Sequence, residues 1–288
     1  MQEFDFVKAK SLDHACTMLA GKRGRAKVIA GGTDLMIGLR NHRLSEEVDT
    51  IMDISGVGEL AYIREEGELI RIGAGTTHAE LALSSILWEA APVLSMAAKS
   101  IGSPQIRNRG TIGGNIITSA PCADTVPALL VLDAALLLRR GESVRQVQIA
   151  DFFEGPYRVK AAEDELLLEI SFRRLRDGAK SLFDKLTRRN ALAKARMNIA
   201  VIALQDKNKV VKDLRISLGS TTPIPCRFTD AERLFLGKVP RREDFLKAGQ
   251  IISSEMVEKS GYRWSTDYKK PVVEALTAAA LKRVLKAE

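Results

Sequence analysis

Two glycine pairs constrain this chain more than any other feature of its sequence. One pair lies in the segment TIGGN, residues 111–115, at the centre of the stretch from residue 101 to residue 127. The other lies in AGGTDL, residues 30–35. Adjacent glycines leave main chain without Cβ atoms, so that positive φ costs little and backbone N–H groups can approach a ligand closely. Arg107 and Arg109 precede the glycine pair of TIGGN, and their positive charge suits an anionic ligand.

The surroundings of the upstream pair predict a phosphate site. It follows the apolar run 28–30, a predicted strand, and precedes a short predicted helix over 35–39 with Thr33 or Asp34 as its N-cap. Free N–H groups at such a helix start attract phosphate. Neither loop has the spacing of a Rossmann or P-loop motif. A single Gly-Gly is most often a plain turn, but two separated loops suit an extended dinucleotide that is held on both sides of its pyrophosphate.

Residues 1–56 are predicted to form a small α/β subdomain. Apolar residues at spacing i, i+3, i+4, i+7 predict a helix that begins after Ser11 and ends at Gly21. Strands are expected on both sides of this helix and again over 48–54. Alternating strands and helices are typical of an α/β layer.

Residues 57–176 are predicted to form a second subdomain. Thr77 and Glu80 form a T-x-x-E capping box, which predicts a helix start. The β-branched run 116–118 predicts a strand that leaves the TIGGN loop. A further strand over 165–172 is expected to close this subdomain.

Residues 177–288 are predicted to form a separate α+β domain. Thr229 and Glu232 suggest another capping box, and the last helix is expected to begin near Pro271. Apolar runs predict three antiparallel strands, at 181–187, 197–204 and 210–218.

Composition excludes several function classes. The net charge is +8, but only 5% of residues are aromatic and they do not alternate with the basic clusters, which argues against nucleic-acid binding. Cys16, Cys122 and Cys226 are too few and too far apart for an iron–sulfur or zinc site, and Cys122 is interpreted as a packing residue. The N-terminus has no apolar signal region, and no apolar run is long enough to span a bilayer, so a cytoplasmic location is expected.

Together, AGGTDL and TIGGNIITSAPCADTVPALL resemble the FAD-binding, or medium, subunits of the molybdenum hydroxylases, the group of xanthine dehydrogenase and carbon monoxide dehydrogenase. The resemblance covers essentially the whole chain. It implies an α+β protein: a two-subdomain FAD-binding module of the PCMH (vanillyl-alcohol oxidase) type in residues 1–176, then a small α+β C-terminal domain with a three-stranded antiparallel sheet and helices in residues 177–288.

Both glycine loops are therefore expected to bind FAD. Asp124 follows the second loop, where it could accept a hydrogen bond from a nucleotide hydroxyl or cap the next helix; the resemblance favours the ligand role. The residues of the two loops expected to bind the cofactor are Ile29, Ala30, Gly31, Gly32, Thr33, Asp34 and Leu35, and Thr111, Gly113, Gly114 and Asn115.

Further site residues rest on the resemblance alone. It places the apolar Ile101 and Leu167 near the flavin ring. It places Lys185 beside the isoalloxazine, where a cation stabilises an anionic reduced flavin; an exposed strand lysine is the equally weighted alternative. Arg188, Arg189 and Arg196 are expected at a partner interface.

The implied function is electron transfer. The resemblance implies a large molybdopterin-binding subunit, a small subunit with [2Fe–2S] clusters, and NAD⁺ or another electron acceptor. We find no catalytic acid–base constellation in the sequence, which leaves the chemistry to FAD. The cysteine-rich insertion of the 4-hydroxybenzoyl-CoA reductase branch is absent. The alternatives are a stand-alone FAD-dependent oxidoreductase with its own substrate site, and a scaffold that has lost its cofactor.

Overall fold

The computed structural model describes residues 3–42, 47–187 and 195–287. A parallel sheet of order β1-β3-β2 begins the fold. Helix α1 connects its first two strands in sequence, and α2 follows the AGGT turn. The elements are β1 (Asp5–Lys8), α1 (Leu12–Lys22), β2 (Ala26–Ile29), α2 (Leu35–Arg40) and β3 (Thr50–Asp53).

The start of α1 agrees with its prediction and its end does not. The Ser11 hydroxyl accepts a hydrogen bond from the His14 backbone N–H at 3.1 Å. The helix continues through Gly21 and ends at Lys22, and its C-cap residue Arg23 adopts a left-handed conformation with φ 47°. Gly21 was the predicted stop because glycine favours helix ends, but its position inside the last turn is tolerated here.

An antiparallel sheet of order β4-β5-β10-β6-β7 forms the centre of the next region. Its strands are β4 (Ile63–Glu66), β5 (Leu69–Gly73), β6 (Ala135–Arg140), β7 (Ser143–Gln148) and β10 (Leu166–Arg173), and the hairpin of β8 (Phe153–Gly155) and β9 (Arg158–Val159) lies beside it. The helices are α3 (His78–Leu83), α4 (Ser85–Ala90), α5 (Pro92–Lys99), α6 (Pro104–Arg107), α7 (Ile112–Thr118), α8 (Thr125–Val131) and α9 (Ile149–Phe152).

Helix α7 corrects the strand predicted at 116–118. The Thr111 side chain caps the helix by accepting from the Gly114 N–H at 3.1 Å, and Ile112 and Ile116 bury the same face one turn apart. Burial of this face outweighs the weak strand preference of the β-branched residues. The capping box of Thr77 and Glu80 is present at the start of α3 as predicted.

A second antiparallel sheet, of order β11-β12-β13, forms the C-terminal region and confirms the predicted strands. Its elements are β11 (Lys180–Leu186), β12 (Met197–Gln205), β13 (Val211–Gly219), α10 (Thr229–Arg233), α11 (Arg242–Ser260) and α12 (Thr266–Val284). The last helix begins at Thr266 and includes Pro271, whereas the prediction started it at Pro271.

The capping box predicted at Thr229 and Glu232 does not form. The Glu232 carboxylate is buried and instead accepts from the Ile216 N–H at 2.8 Å and from Arg227 at 2.7 Å. The Arg227 guanidinium and the Ile216 N–H bind this carboxylate more strongly than the backbone N–H at the helix N-terminus would. The reason is that a hydrogen bond from a charged donor is stronger than one from a neutral donor.

Both faces of the C-terminal sheet are covered. Ile199 and Val201 of β12 pack with α11 and α12, whereas the alternate residues Ala200 and Ile202 join the hydrophobic cluster of α5 and α8. A strand buried on both faces reads as a continuous apolar run, as β12 does. The predicted domain boundary near residue 176 falls in the loop between β10 and β11. In the described ranges, no helix is long and apolar enough to cross a membrane.

Packing of α11 on α12 predicts that Gly249→Ala destabilises the protein. A Cβ at Gly249 would lie 2.7 Å from the Cα of Glu274 in α12, so the helices must move apart at a cost of about 1–3 kcal/mol. Gly21→Ala is the matched control: nothing lies within 4 Å, and alanine should stabilise α1 by about 0.5–1 kcal/mol. Chemical unfolding measures both; equal stabilities would contradict the packing argument.

Candidate functional site

The two glycine loops lie against each other. A Cβ added at Gly31 would lie 1.8 Å from the Arg109 carbonyl oxygen, and one added at Gly110 would lie 3.3 Å from the Thr33 hydroxyl oxygen. Only a glycine at position 31 lets the first loop approach the backbone of the second this closely. The structure thus brings together segments that are about 80 residues apart in sequence.

The backbone donors of the two loops differ in availability. In the described part of the chain, no hydrogen bond involves the N–H groups of residues 31–34. In the second loop, the Gly113 N–H donates to the Ala74 carbonyl at 2.9 Å, the Gly114 N–H to Thr111 Oγ1 at 3.1 Å, and the Asn115 N–H to the Thr111 carbonyl at 3.0 Å. The first loop therefore offers free donors, whereas the second uses its own to fix its shape.

The two glycines of the second loop serve different purposes. Gly113 is buried, and a Cβ there would lie 2.7 Å from Ala74. Gly114 is exposed, and a Cβ there would meet only the Thr111 hydroxyl oxygen, at 3.0 Å. Gly113 thus permits packing of α7, while Gly114 presents main chain without a side chain to solvent.

Two residues singled out from the sequence, Asp124 and Lys185, form a buried ion pair. Lys185 Nζ lies 2.5 Å from Asp124 Oδ2, and their side chains are 9% and 6% exposed. Asp124 stands at the start of α8 but makes no capping hydrogen bond, and Lys185 is not an exposed strand lysine. Both structural alternatives considered for these residues are therefore wrong.

Asn198 completes this polar chain. Its Nδ2 donates to Asp124 Oδ1 at 2.8 Å, and its Oδ1 accepts from the Gly219 N–H at 2.9 Å. Burial raises the pKa of the Asp124 carboxyl above its ordinary value, whereas the Lys185 ammonium and the Asn198 amide act in the opposite direction. The Lys185 ammonium and the Asn198 amide thus offset part of the cost of burying the Asp124 carboxylate.

Further contacts join this ion pair to the second glycine loop and to Ile101. Lys185 Nζ also donates to the Ser100 carbonyl at 3.1 Å, next to Ile101. The Thr125 hydroxyl, adjacent to Asp124, donates to Asn115 Oδ1 at 2.6 Å. Ile101, Asn115, Asp124 and Lys185 therefore belong to one connected region.

Leu167 lies apart from these polar contacts. It is buried in β10, pairs with Leu138 of β6 and shares a hydrophobic cluster with Ile112 and Ile116 of α7. It belongs to the same hydrophobic core as α7, the helix whose first turn contains the second glycine pair. Of the arginines expected at a partner interface, Arg188 and Arg189 lie outside the described residues.

His78 at the start of α3 is a buried neighbour of the second loop. Its ring approaches Gly110, and its Nδ1 has no hydrogen-bond partner in the described residues. Burial, with a smaller contribution from Arg107, lowers the pKa of His78 to about 4. The imidazole is therefore neutral at pH 7.

Comparison with known proteins identifies the family. Residues 2–172 match the family described as "FAD binding domain in molybdopterin dehydrogenase", and residues 181–284 match "CO dehydrogenase flavoprotein C-terminal domain". This chain belongs to the FAD-binding subunits of the molybdenum hydroxylases. The FAD-binding subunit is thus an oxidoreductase component of the xanthine dehydrogenase and carbon monoxide dehydrogenase type, and FAD is its cofactor.

Relatives of the FAD-binding subunit match over almost its whole length. The glyceraldehyde dehydrogenase medium chain of Sulfolobus acidocaldarius is 32% identical, with 98% of each chain covered. The nicotinate dehydrogenase FAD-subunit of Eubacterium barkeri is 33% identical, covering 96% of this chain and 94% of the relative. The structure of carbon monoxide dehydrogenase from Hydrogenophaga pseudoflava that lacks the Mo-pyranopterin moiety has a TM-score of 0.91 at 29% identity, covering 98% and 97%.

The residues of the site fit such a cofactor. The N–H groups of residues 31–34, which have no hydrogen-bond partner in the described residues, suit the anionic pyrophosphate, and the loop that carries them contacts the backbone at Arg109 and Gly110. A side chain at Gly31 would push the two loops apart and so disrupt this arrangement.

Sequence reasoning missed Asn198 and the Ser100 carbonyl. Asn198 is a lone amide within the apolar run of β12, and a buried amide must find partners. That signal was available in the sequence. The identity of the partners was not, because Asp124 lies 74 residues away and Gly219 lies 21 residues away, on the neighbouring strand.

The buried pair predicts a large cost for Lys185→Met. Loss of the ammonium leaves the Asp124 carboxylate unpaired, and we expect the free energy of unfolding to fall by about 3–5 kcal/mol. Adding Asp124→Asn should recover much of this loss. Arg233→Met, which breaks an exposed pair with Asp230, is the control and should cost about 0–1 kcal/mol. Urea unfolding of these variants would contradict the argument if Lys185→Met matched the control.

Proposed function

We propose that this FAD-binding subunit transfers electrons within a molybdenum hydroxylase complex. Electrons enter from [2Fe–2S] clusters of a small partner subunit, after substrate oxidation in a large molybdopterin-binding subunit, and leave to NAD⁺ or another acceptor. FAD supplies the redox chemistry because a flavin exchanges electrons singly or in pairs. The location is proposed to be cytoplasmic.

The support for this proposal is the similarity over nearly the full chain to medium chains and FAD-subunits of dehydrogenases. The two matched families together account for almost the whole sequence. The relatives are named for different substrates, which suggests that another subunit selects the substrate.

The chain's own residues would hold and orient the cofactor. We propose that the first loop, from Ile29 to Leu35, donates its free N–H groups to the pyrophosphate, while Thr111, Gly113, Gly114 and Asn115 define the opposite wall. The Asp124–Lys185 pair would fix the junction between residues 1–176 and 177–288, the two proposed domains, and place a cation there. Ile101 and Leu167 would contribute apolar support.

Purification of the subunit with the proteins that accompany it tests the proposed function. FAD, iron–sulfur absorbance and two further polypeptides, with flavin reduction that depends on those polypeptides, are expected. A lone chain that binds FAD and turns over a substrate would favour the stand-alone oxidoreductase. An intact complex without FAD would leave only a scaffold role.

Contact between the loops predicts that Gly31→Ala weakens FAD binding. The added methyl must push the Arg109 backbone away, and we expect the dissociation constant for FAD to rise about tenfold or more. Gly38→Ala in α2, where nothing lies within 4 Å, is the matched control and should bind FAD like the wild type. Equal affinities in a fluorescence titration would contradict this assignment of the first loop.

A further inference from the structure

Three exposed aromatic rings cluster at one turn of the C-terminal region. Tyr262, Trp264 and Tyr268 are 68%, 93% and 44% exposed, and they lie where α11 passes into α12. The whole chain has only two tryptophans and four tyrosines, so this turn holds half of them. Rings exposed together in this way are typical of interaction sites.

Cations surround these rings. The Arg196 guanidinium lies 5.0 Å from the centre of the Tyr268 ring, and Arg263 is adjacent to Trp264. Burial lowers the pKa of Lys269, and the nearby charges of Arg263 and Arg196 lower it further. The nearest acidic partner, Asp267, accepts from the Tyr262 hydroxyl. We define the aromatic–basic face as Arg196, Tyr262, Arg263, Trp264, Tyr268 and Lys269.

The aromatic–basic face adjoins the candidate site by two routes. Lys269 Nζ donates to the Ser220 carbonyl at 2.6 Å, and the Ser220 N–H donates to the carbonyl of Pro121, close to Asp124 in sequence, at 2.9 Å. The Arg196 N–H donates to the carbonyl of Leu186, the neighbour of Lys185, at 2.9 Å. The face therefore lies at the rim of the region that contains the buried ion pair.

We propose that the aromatic–basic face docks an acidic surface of the partner subunit that exchanges electrons with FAD. This inference rests on the proposed function. Tryptophan, tyrosine and arginine dominate the binding energy of protein interfaces, and positive charge selects an acidic partner and speeds its encounter. A partner bound at this rim would stand close to the cofactor.

The shape of the face favours a protein over a small ligand. Small molecules bind in concave sites. The cavity of about 410 Å³ in the described structure is lined by residues such as Tyr62 and Leu83, and the small recess beside Pro121 is lined by Ser220 and its neighbours; none of the three rings lines either. Trp264 is instead almost fully exposed in the turn between α11 and α12.

Charge reversal combined with ring removal tests this face in the purified complex. The variant Arg263→Glu with Trp264→Ala should raise the dissociation constant of the iron–sulfur subunit by at least about thirtyfold and make the remaining binding less sensitive to salt. FAD content should not change, because neither side chain belongs to the proposed cofactor site. Binding is measured by calorimetry or by titration of the separated subunit.

The matched control is Arg242→Glu with Leu246→Ala. These residues lie at the other end of α11, away from the face, and Leu246 is 56% exposed. The control therefore makes the same change of charge and also removes an exposed apolar side chain. The control should bind its partner like the wild type. An independent measurement uses Trp88→Phe, which leaves Trp264 as the only tryptophan; its emission should shift to the blue when the partner binds.

Several outcomes would overturn the docking proposal. These are unchanged partner affinity in the Arg263→Glu, Trp264→Ala variant, an equal loss in the control, or loss of self-association or of NAD⁺ binding in place of partner binding. A wild-type subunit that binds FAD but no iron–sulfur subunit would also overturn it. Absence of FAD from the wild-type complex would instead refute the proposed function, so the two failures are distinguishable.

Discussion

The ion pair of Asp124 and Lys185 is the interaction on which the arrangement of the site depends. It lies in a hydrogen-bonded chain that runs from the Gly219 N–H in β13 through Asn198 to the Ser100 carbonyl after α5. Removal of two charges from water is costly, so the pair stabilises only the geometry in which every member is satisfied. The C-terminal sheet is therefore held in one position against α5 and α8.

Glycine fixes the other half of the site through close backbone contact. Gly31 lets the first loop touch the backbone at Arg109, and Gly113 lets α7 pack on Ala74. The N–H groups of residues 112–115 are already bonded, whereas those of residues 31–34 have no hydrogen-bond partner among the residues that the structure describes. One loop thus provides shape, and the other provides hydrogen-bonding capacity for an anion.

Features determined by local chemistry could be predicted from the sequence. The Ser11 cap, the Thr77–Glu80 capping box and the strands of the C-terminal sheet depend on neighbouring residues and periodicity. The prediction was wrong where tertiary contacts decide. Ile116 is helical because its face is buried, and Glu232 binds Arg227 and β13 instead of capping α10.

The candidate site shows the same division. Its glycine loops and Asp124 stand out in the sequence, and the resemblance to a known family adds Lys185, but the ion pair between the last two could not be predicted. Asn198 shares no motif with its partners and meets them only after the chain folds. Local sequence patterns do not show which buried polar groups, distant in sequence, pair in the folded chain.

Hydrogen exchange of backbone amides with and without FAD tests the central claim most directly. The account predicts that FAD slows exchange at residues 31–34, whose N–H groups make no hydrogen bond within residues 3–42, 47–187 and 195–287. The amides of Gly113 and Asn115 should be protected already and should change little, because each donates to a carbonyl. Unchanged exchange at residues 31–34 on saturation with FAD would contradict the assignment of the first loop as the pyrophosphate donor.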